Sequence, residues 1–209
     1  SEMCIRDSVA IDLIITVFIL LFSLNFAVYF LLLTRKWREA LSSDELRFFL
    51  LVVTGATILI AIDIAPLYTS IWESLRYSVF QVASIISTTG FATADFVLWP
   101  HFSQTILVLL IFCGACAGST GGGIKCSRVL ILLRSIRREI HRVIHPRSVE
   151  VVKLDGKVVE EDTLRSISVF VGSYLFIILA ATLIISLDDF PFSVSFSSAL
   201  TCISNVGPG

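Results

Sequence analysis

Residues 74–94 read SLRYSVFQVASIISTTGFATA, and the fold we expect is organised around this stretch. Thirteen mostly apolar residues, Ser74 to Ile86, lead into the turn 87–91. The run is too short for a spanning helix, which needs about 20 residues, and too apolar for an exposed loop. Irregular backbone at membrane depth occurs only where it lines a cavity or is buried in protein. The stretch therefore predicts a half-membrane helix over 74–86 whose negative C-terminal end faces a backbone-lined cation site.

The composition indicates an integral membrane protein. Hydrophobic residues make up 56% of the chain and charged residues 16%, whereas soluble domains have about 45–50% and about 25%. The net charge of −1 says nothing about partners. The positions of the basic residues indicate the topology instead. Of the 16 Lys and Arg residues, 14 lie in 35–47 and 125–165, and the positive-inside rule places both segments in the cytoplasm. The five cysteines are an odd number, so we expect no disulfide framework.

Apolar runs divide the chain into membrane crossings. Residues 1–8 fit no pattern that follows, and we expect them to be a non-native leader. Residues 9–33 predict one spanning helix, the return helix of a preceding repeat, which exits into the cytoplasm. Residues 46–65 and 166–187 predict helices that cross outward.

A glycine run interrupts the next crossing. Residues 104–139 predict a helix broken at 118–123, because each glycine in a helix costs about 1 kcal/mol relative to alanine. A broken helix of this kind usually marks a substrate path. The cytoplasmic loop 140–165 follows, and its Asp155-Gly156 pair predicts a small β-hairpin on a primed turn.

The unit of crossing helix, half-helix, glycine turn and return helix occurs twice. Ser87-Thr88-Thr89-Gly90-Phe91 aligns with Ser204-Asn205-Val206-Gly207-Pro208 at an offset of 117 residues. The first copy covers 34–139. The second covers 166–209, with a half-helix over 192–203, and stops before its return helix. We therefore expect the chain to be a C-terminal fragment that lacks the last helix.

The two glycine turns predict a cation filter. Backbone carbonyls around each glycine can replace the hydration shell of a cation, and glycine permits the unusual dihedral angles and the close approach. A single copy could equally be a tight extracellular turn between two buried helices. Two copies, each after a half-helix and at matched spacing, favour the filter.

These residues resemble the TrkH/Ktr potassium-uptake superfamily. The STTGF turn, the GSTGGGIK break at 118–125 and the NVGPG turn look like its TrkH-type membrane subunits. The resemblance covers residues 9–209 and implies an all-α membrane fold with repeated helix–half-helix–helix units around a pseudo-fourfold pore. It implies potassium uptake across a bacterial or archaeal cytoplasmic membrane, with main-chain potassium ligands in both turns. These ligands are Thr88, Thr89, Gly90, Phe91, Asn205, Val206, Gly207 and Pro208.

The resemblance makes the glycine break an intramembrane gate. Its residues are Gly118, Ser119, Thr120, Gly121, Gly122, Gly123 and Lys125. The alternative is a kink that lets helices pack closely. Lys125 either repels cations in a closed state or extends its ammonium to the membrane surface, and both interpretations stay open.

The resemblance also implies partners. They are a second copy in a homodimer and a cytoplasmic, nucleotide-binding TrkA-type regulator, besides the lipid bilayer and the potassium ion itself. The hairpin is either a docking site for that regulator or a plain loop. We expect no cofactor, and the basic run 134–147 is better explained as a topology anchor than as a nucleic-acid site.

Two other functions need consideration. A sodium-selective or sodium-coupled relative of the same superfamily is the nearest alternative, although both turns keep the glycine that by resemblance favours potassium. A membrane-embedded hydrolase would need ionisable groups at membrane depth. The acidic candidates are Asp12 and Asp63, both at helix ends. We therefore expect no enzyme activity.

Overall fold

The computed structural model describes residues 9–145 and 151–207. The expected leader 1–8, the hairpin residues 149–150 and the last filter residue Pro208 lie outside the described residues. The described part forms nine α-helices and one two-stranded sheet. In chain order they are α1 Val9–Phe22, α2 Phe26–Leu33, α3 Trp37–Ser42, α4 Asp44–Ile64, α5 Ile71–Ile86, α6 His101–Cys113, α7 Cys126–Ile144, β1 Lys153–Leu154, β2 Lys157–Val158, α8 Glu161–Ile185 and α9 Phe192–Ser204.

Two helices are long and apolar enough to cross a membrane. With their terminal 3₁₀ turns they run over Asp44–Leu67 and Glu161–Asp188, 24 and 28 residues. The pair α1 and α2 makes a third candidate if it is counted as one span, although the two helices are bent by 91°. Exposed apolar side chains cover α8, with Phe176 73% and Leu183 70% accessible. Such a surface is unusual in a soluble protein and suits contact with lipid.

The expectation of one continuous helix over 9–33 is wrong, because α1 and α2 are separated by a sharp break. The Asn25 side chain caps α2 by accepting a hydrogen bond from the Ala27 amide at 2.9 Å. The Ser23 carbonyl accepts a hydrogen bond from the Cys116 amide at 3.1 Å. The backbone groups freed by the break therefore bond to a distant segment, and hydropathy along the chain cannot reveal that.

The half-helices are slightly longer than their apolar runs. Helix α5 begins at Ile71 instead of residue 74, because the Ser70 hydroxyl caps it by accepting a hydrogen bond from the Trp72 amide at 3.3 Å. Helices α5 and α9 have 16 and 13 residues. Both stop at the turns that the sequence analysis singled out.

One apolar core joins both copies of the unit. Its fully buried members include Phe49 and Ile60 of α4, Ile86 of α5 and Leu200 of α9. Helices α5 and α9 therefore end in the same packed interior, which brings their C-terminal turns close together.

The predicted hairpin is confirmed. Strands β1 and β2 pair antiparallel, with Lys153 opposite Val158 and Leu154 opposite Lys157. Asp155 and Gly156 have φ angles of 50° and 75°. Positive φ at both central residues is typical of the type I′ turn that two-residue hairpins favour.

Candidate functional site

The turns after α5 and α9 share one backbone conformation. The amide of the middle residue reaches back five positions in each, from Thr89 to the Ser84 carbonyl and from Val206 to the Thr201 carbonyl, both at 2.9 Å. The residues on either side of it have positive φ. These are Thr88 at 60°, Gly90 at 78°, Asn205 at 59° and Gly207 at 102°. All of these positions are related by the 117-residue offset, so two different sequences form the same turn.

Thr88 is the most unusual residue of the first turn. A β-branched residue with positive φ is a genuine backbone outlier. Strained residues of this kind persist only where the surrounding structure holds them, and they cluster at functional sites. The surroundings here include the hydrogen bond from the Thr88 amide to the Ile85 carbonyl at 3.1 Å. The outlier points to a function for this turn beyond connecting two helices.

Both turns meet the glycine loop at Gly122. A Cβ built on Gly122 would lie 2.7 Å from the Ser204 carbonyl oxygen, 3.3 Å from Thr88 Oγ1 and 3.5 Å from the Asn205 Cβ. The Gly122 amide also donates a hydrogen bond to Thr88 Oγ1 at 2.7 Å. Only a residue without a side chain fits between the two turns at this point.

The break in the return helix is twice as long as the glycine run. Helix α6 ends at Cys113 and α7 begins at Cys126, so 12 residues, 114–125, leave the helical path. The expected helix end near residue 117 is therefore wrong, because Gly114 already has a φ of 64°. The two ends of the excursion meet again, with the sulfur atoms of Cys113 and Cys126 3.4 Å apart as free thiols.

The predicted gate residues divide into two groups. The first faces the break between α1 and α2, where the Thr120 hydroxyl donates a hydrogen bond to the Phe22 carbonyl at 3.3 Å. The second faces the turns, where a Cβ on Gly121 would lie 2.9 Å from the Ser87 carbonyl oxygen. The loop therefore bridges the earlier helix pair and the two turns.

The Lys125 side chain folds back onto the loop. Its ammonium donates a hydrogen bond to the Gly121 carbonyl. The Lys125 backbone has a φ of 78°, again unusual outside glycine. The ammonium thus lies beside the residue that contacts the first turn.

Hydroxyl groups support both turns from the side. The Ser84 hydroxyl donates a hydrogen bond to the Phe91 carbonyl at 2.6 Å, so one lone pair of this predicted ligand is already engaged. The buried hydroxyls of Tyr174 and Ser204 are 2.5 Å apart. These contacts limit the movement of the turns relative to the helices around them.

Two residues near the loop were missed by the sequence analysis. Neither Glu45, in the first turn of α4, nor Asn25, the capping residue of α2, is named in the sequence analysis. In the structure Glu45 is 6% exposed and bonded to the loop. An asparagine inside an otherwise apolar run was the available signal, because polar side chains at membrane depth are often functional.

Two half-helices that end in turns with positive φ inside one apolar core, both contacted by a glycine-containing break in a helix, are typical of membrane transport proteins, in which broken helices often lie at the substrate path. A family model named TrkH and described as "Cation transport protein" matches residues 3–209. The chain belongs to this family of cation transport proteins. It is therefore a membrane protein and not an enzyme.

Individual relatives agree with this assignment. The chain is 32% identical to the Trk system potassium uptake protein TrkH of Salmonella typhimurium over 97% of its own length and 43% of the relative's. It is 33% identical to the Trk system potassium uptake protein TrkG of Escherichia coli, over 95% and 41%. The crystal structure of the potassium transporter TrkH from Vibrio parahaemolyticus superposes with a TM-score of 0.88 at 30% identity, over 97% of this chain and 44% of that one. The chain thus spans about two-fifths of the length of these relatives.

Proposed function

We propose that this chain supplies two filter segments and the gate of a potassium uptake protein. The protein would cross the cytoplasmic membrane of a bacterium or archaeon several times and arrange four such segments around one pore. We infer that the transported ion is potassium because the relatives are named potassium uptake proteins. The observation that carries the proposal is the pair of turns with the same alternating backbone that meet at one glycine of the loop.

In this proposal the main-chain oxygens of the two turns replace the hydration shell of potassium. When successive residues alternate between positive and negative φ, their carbonyl groups can point to the same side of the chain. The proposed ligands are those of 88–91 and of 205–208. The negative C-terminal ends of α5 and α9 add favourable electrostatics for a cation.

The loop 118–123 acts as the gate in this proposal. The arrangement described above is the closed one, because the loop lies directly against both turns and is bonded to Thr88. Conduction requires the loop to move away. A run of glycines has the conformational freedom for such a movement. Deleting residues 119–122 from the complete protein should raise basal potassium flux, and flux regulated as before would place the gate elsewhere.

Ion selectivity tests the filter itself. Gly90→Ser puts a side chain on a residue whose φ is 78° and should lower the potassium-to-sodium permeability ratio of the complete protein in liposomes. Gly55→Ser is the matched control, because nothing lies within 4 Å of a Cβ at Gly55. An unchanged ratio in the Gly90 variant would reject the filter. A parent protein that prefers sodium would instead support the sodium-selective alternative.

The partners proposed for the complete protein are a second copy of itself and a cytoplasmic TrkA-type nucleotide-binding regulator. The exposed hairpin is the proposed docking site for that regulator. Removing residues 150–160 should weaken binding of the purified regulator in a pull-down. Undiminished binding would reject the hairpin as the docking site.

A further inference from the structure

Glu45 is a buried carboxylate that is bonded to the residue directly before the gating loop. Its Oε1 accepts a hydrogen bond from the Ala117 amide at 2.6 Å. Its Oε2 accepts one from Asn25 Nδ2 at 3.4 Å. Hydrogen bonds to an ionised acceptor are shorter and about twice as strong as neutral ones. The two oxygens therefore tie the loop and the α1–α2 break to the same side chain.

The place of Glu45 in the fold makes it a fixed anchor. It lies in the first turn of α4, where the positive end of the helix dipole favours a carboxylate. Helix α4 has 21 residues in all, and several of its buried residues belong to the core. Ala117 is the last residue before the run that starts at Gly118. Glu45 thus holds the loop at the point where its flexible part begins.

The preceding residue, Asp44, is bonded to the cytoplasmic hairpin. The Asp44 amide donates a hydrogen bond to Asp155 Oδ1 at 2.6 Å, and the Asp155 amide donates one to Asp44 Oδ2 at 3.0 Å. Arg134 Nη1 donates a third to Asp44 Oδ2 at 2.8 Å. The tip of the hairpin is therefore clamped to the residue beside Glu45.

We propose that Glu45 is a positioning residue that holds the gating loop against the two turns, and that the Asp44–Asp155 clamp passes movement of the hairpin to it. The proposal rests on the gate function proposed above and deepens it. A partner that pulls the hairpin would tilt the first turn of α4. Glu45 would then release Ala117, and the glycine run would be free to leave the turns.

The test measures basal potassium flux through the complete protein in liposomes for two substitutions of Glu45. Glu45→Ala leaves the Ala117 amide without its acceptor and should raise flux about tenfold, the shift that corresponds to about 1.4 kcal/mol in the closed state. Glu45→Gln keeps one neutral oxygen as a weaker acceptor for that amide and should raise flux by less than Glu45→Ala. The potassium-to-sodium permeability ratio should stay unchanged in both, because the turns are intact.

Glu39→Ala is the matched control. Glu39 lines the same cavity as Glu45, but it is exposed, and its carboxylate pairs with Lys36 at 3.3 Å. Its replacement should not change flux. A folding defect cannot imitate the expected result, because loss of folded protein lowers flux and does not raise it. Unchanged flux in Glu45→Ala, or an equal rise in Glu39→Ala, would overturn the proposal.

A combination with the loop deletion separates this inference from the gate itself. If deleting 119–122 raises flux and Glu45→Ala does not, the gate stands and the role of Glu45 is rejected. If neither change raises flux, the gate fails and the role of Glu45 fails with it. The combined variant should conduct no more than the deletion alone, because Glu45 then has no intact loop to hold. A further rise would show that Glu45 acts elsewhere and overturn the proposal.

The clamp has its own test. Asp155→Ala removes the acceptor of the Asp44 amide, so saturating regulator should raise potassium flux through this variant less than through the parent protein, while basal flux stays close to the parent value. Asp162→Ala changes an exposed acid in the first turn of α8 and serves as its control. An equal rise in flux on addition of regulator to the two variants would reject transmission from the hairpin.

Discussion

Replacing Gly122 with alanine tests the gate where the loop meets both turns. A Cβ at this position would lie 2.7 Å from the carbonyl oxygen of Ser204 and 3.3 Å from Thr88 Oγ1. The nearer obstacle is backbone, so no side-chain rotation can relieve the overlap. The alanine variant must therefore shift either the loop or the end of α9.

The size of the effect follows from packing energies. An added methyl group in a well-packed site costs about 1–3 kcal/mol. This cost falls only on the described arrangement, because a loop that has left the turns no longer meets Ser204. A penalty of this size shifts a two-state equilibrium by about 5–150-fold. Since the described arrangement is closed in our proposal, basal potassium flux through Gly122→Ala should rise by up to that factor.

The assay is potassium efflux from liposomes that contain equal amounts of folded complete protein. Gly172→Ala is the control, because Gly172 lies within α8 and nothing lies within 4 Å of a Cβ built at this position. The reasoning is refuted if both variants conduct equally. A well-folded Gly122→Ala variant that conducts less than the control would show that the described arrangement is not the closed one.

Two further predictions concern polar contacts of α9 and α5. Tyr174→Phe removes the buried hydroxyl 2.5 Å from Ser204 Oγ and should lower the free energy of unfolding by about 1–3 kcal/mol. Denaturant unfolding in detergent measures this change. An unchanged unfolding midpoint would show that the contact is energetically neutral. Asp12→Asn leaves the Arg76 guanidinium of α5, 3.4 Å from Asp12 in the parent protein, without its counter-charge and should destabilise by on the order of 3 kcal/mol. The double variant Asp12→Leu/Arg76→Met should recover most of that loss in the same assay, and failure to recover it would mean that the ion pair does not act as a unit.

Much of the local structure could be predicted from the sequence because its causes are local. Asp155-Gly156 between two short apolar-polar runs specifies a type I′ hairpin, since the turn depends on two residues that tolerate positive φ. The half-helix before Ser87 could be predicted from its length and apolarity alone. The repeat of that unit 117 residues later indicated that two turns should share a conformation, and their φ angles and hydrogen bonds do match.

The predictions that were wrong concern features that depend on contacts between distant segments. The break between α1 and α2 lies in an apolar run, and it is bonded to residues about ninety positions further along the chain, such as Cys116 and Thr120. The same contacts extend the loop beyond the glycine run. Hydropathy is a sum along the chain, so it contains no information on which distant amide replaces a lost helical hydrogen bond.

The sequence by itself determined that the chain lies in a membrane, which segments are too short to cross it, and where glycines free the backbone. These properties follow from transfer energies and dihedral preferences that each residue carries alone. Only the tertiary structure decided that both turns press on Gly122 and that Glu45 holds the loop. Those contacts exist because α4, α5 and α9 pack into one core and bring polar groups from separate segments within hydrogen-bond distance, in surroundings where a polar group left unpaired is costly.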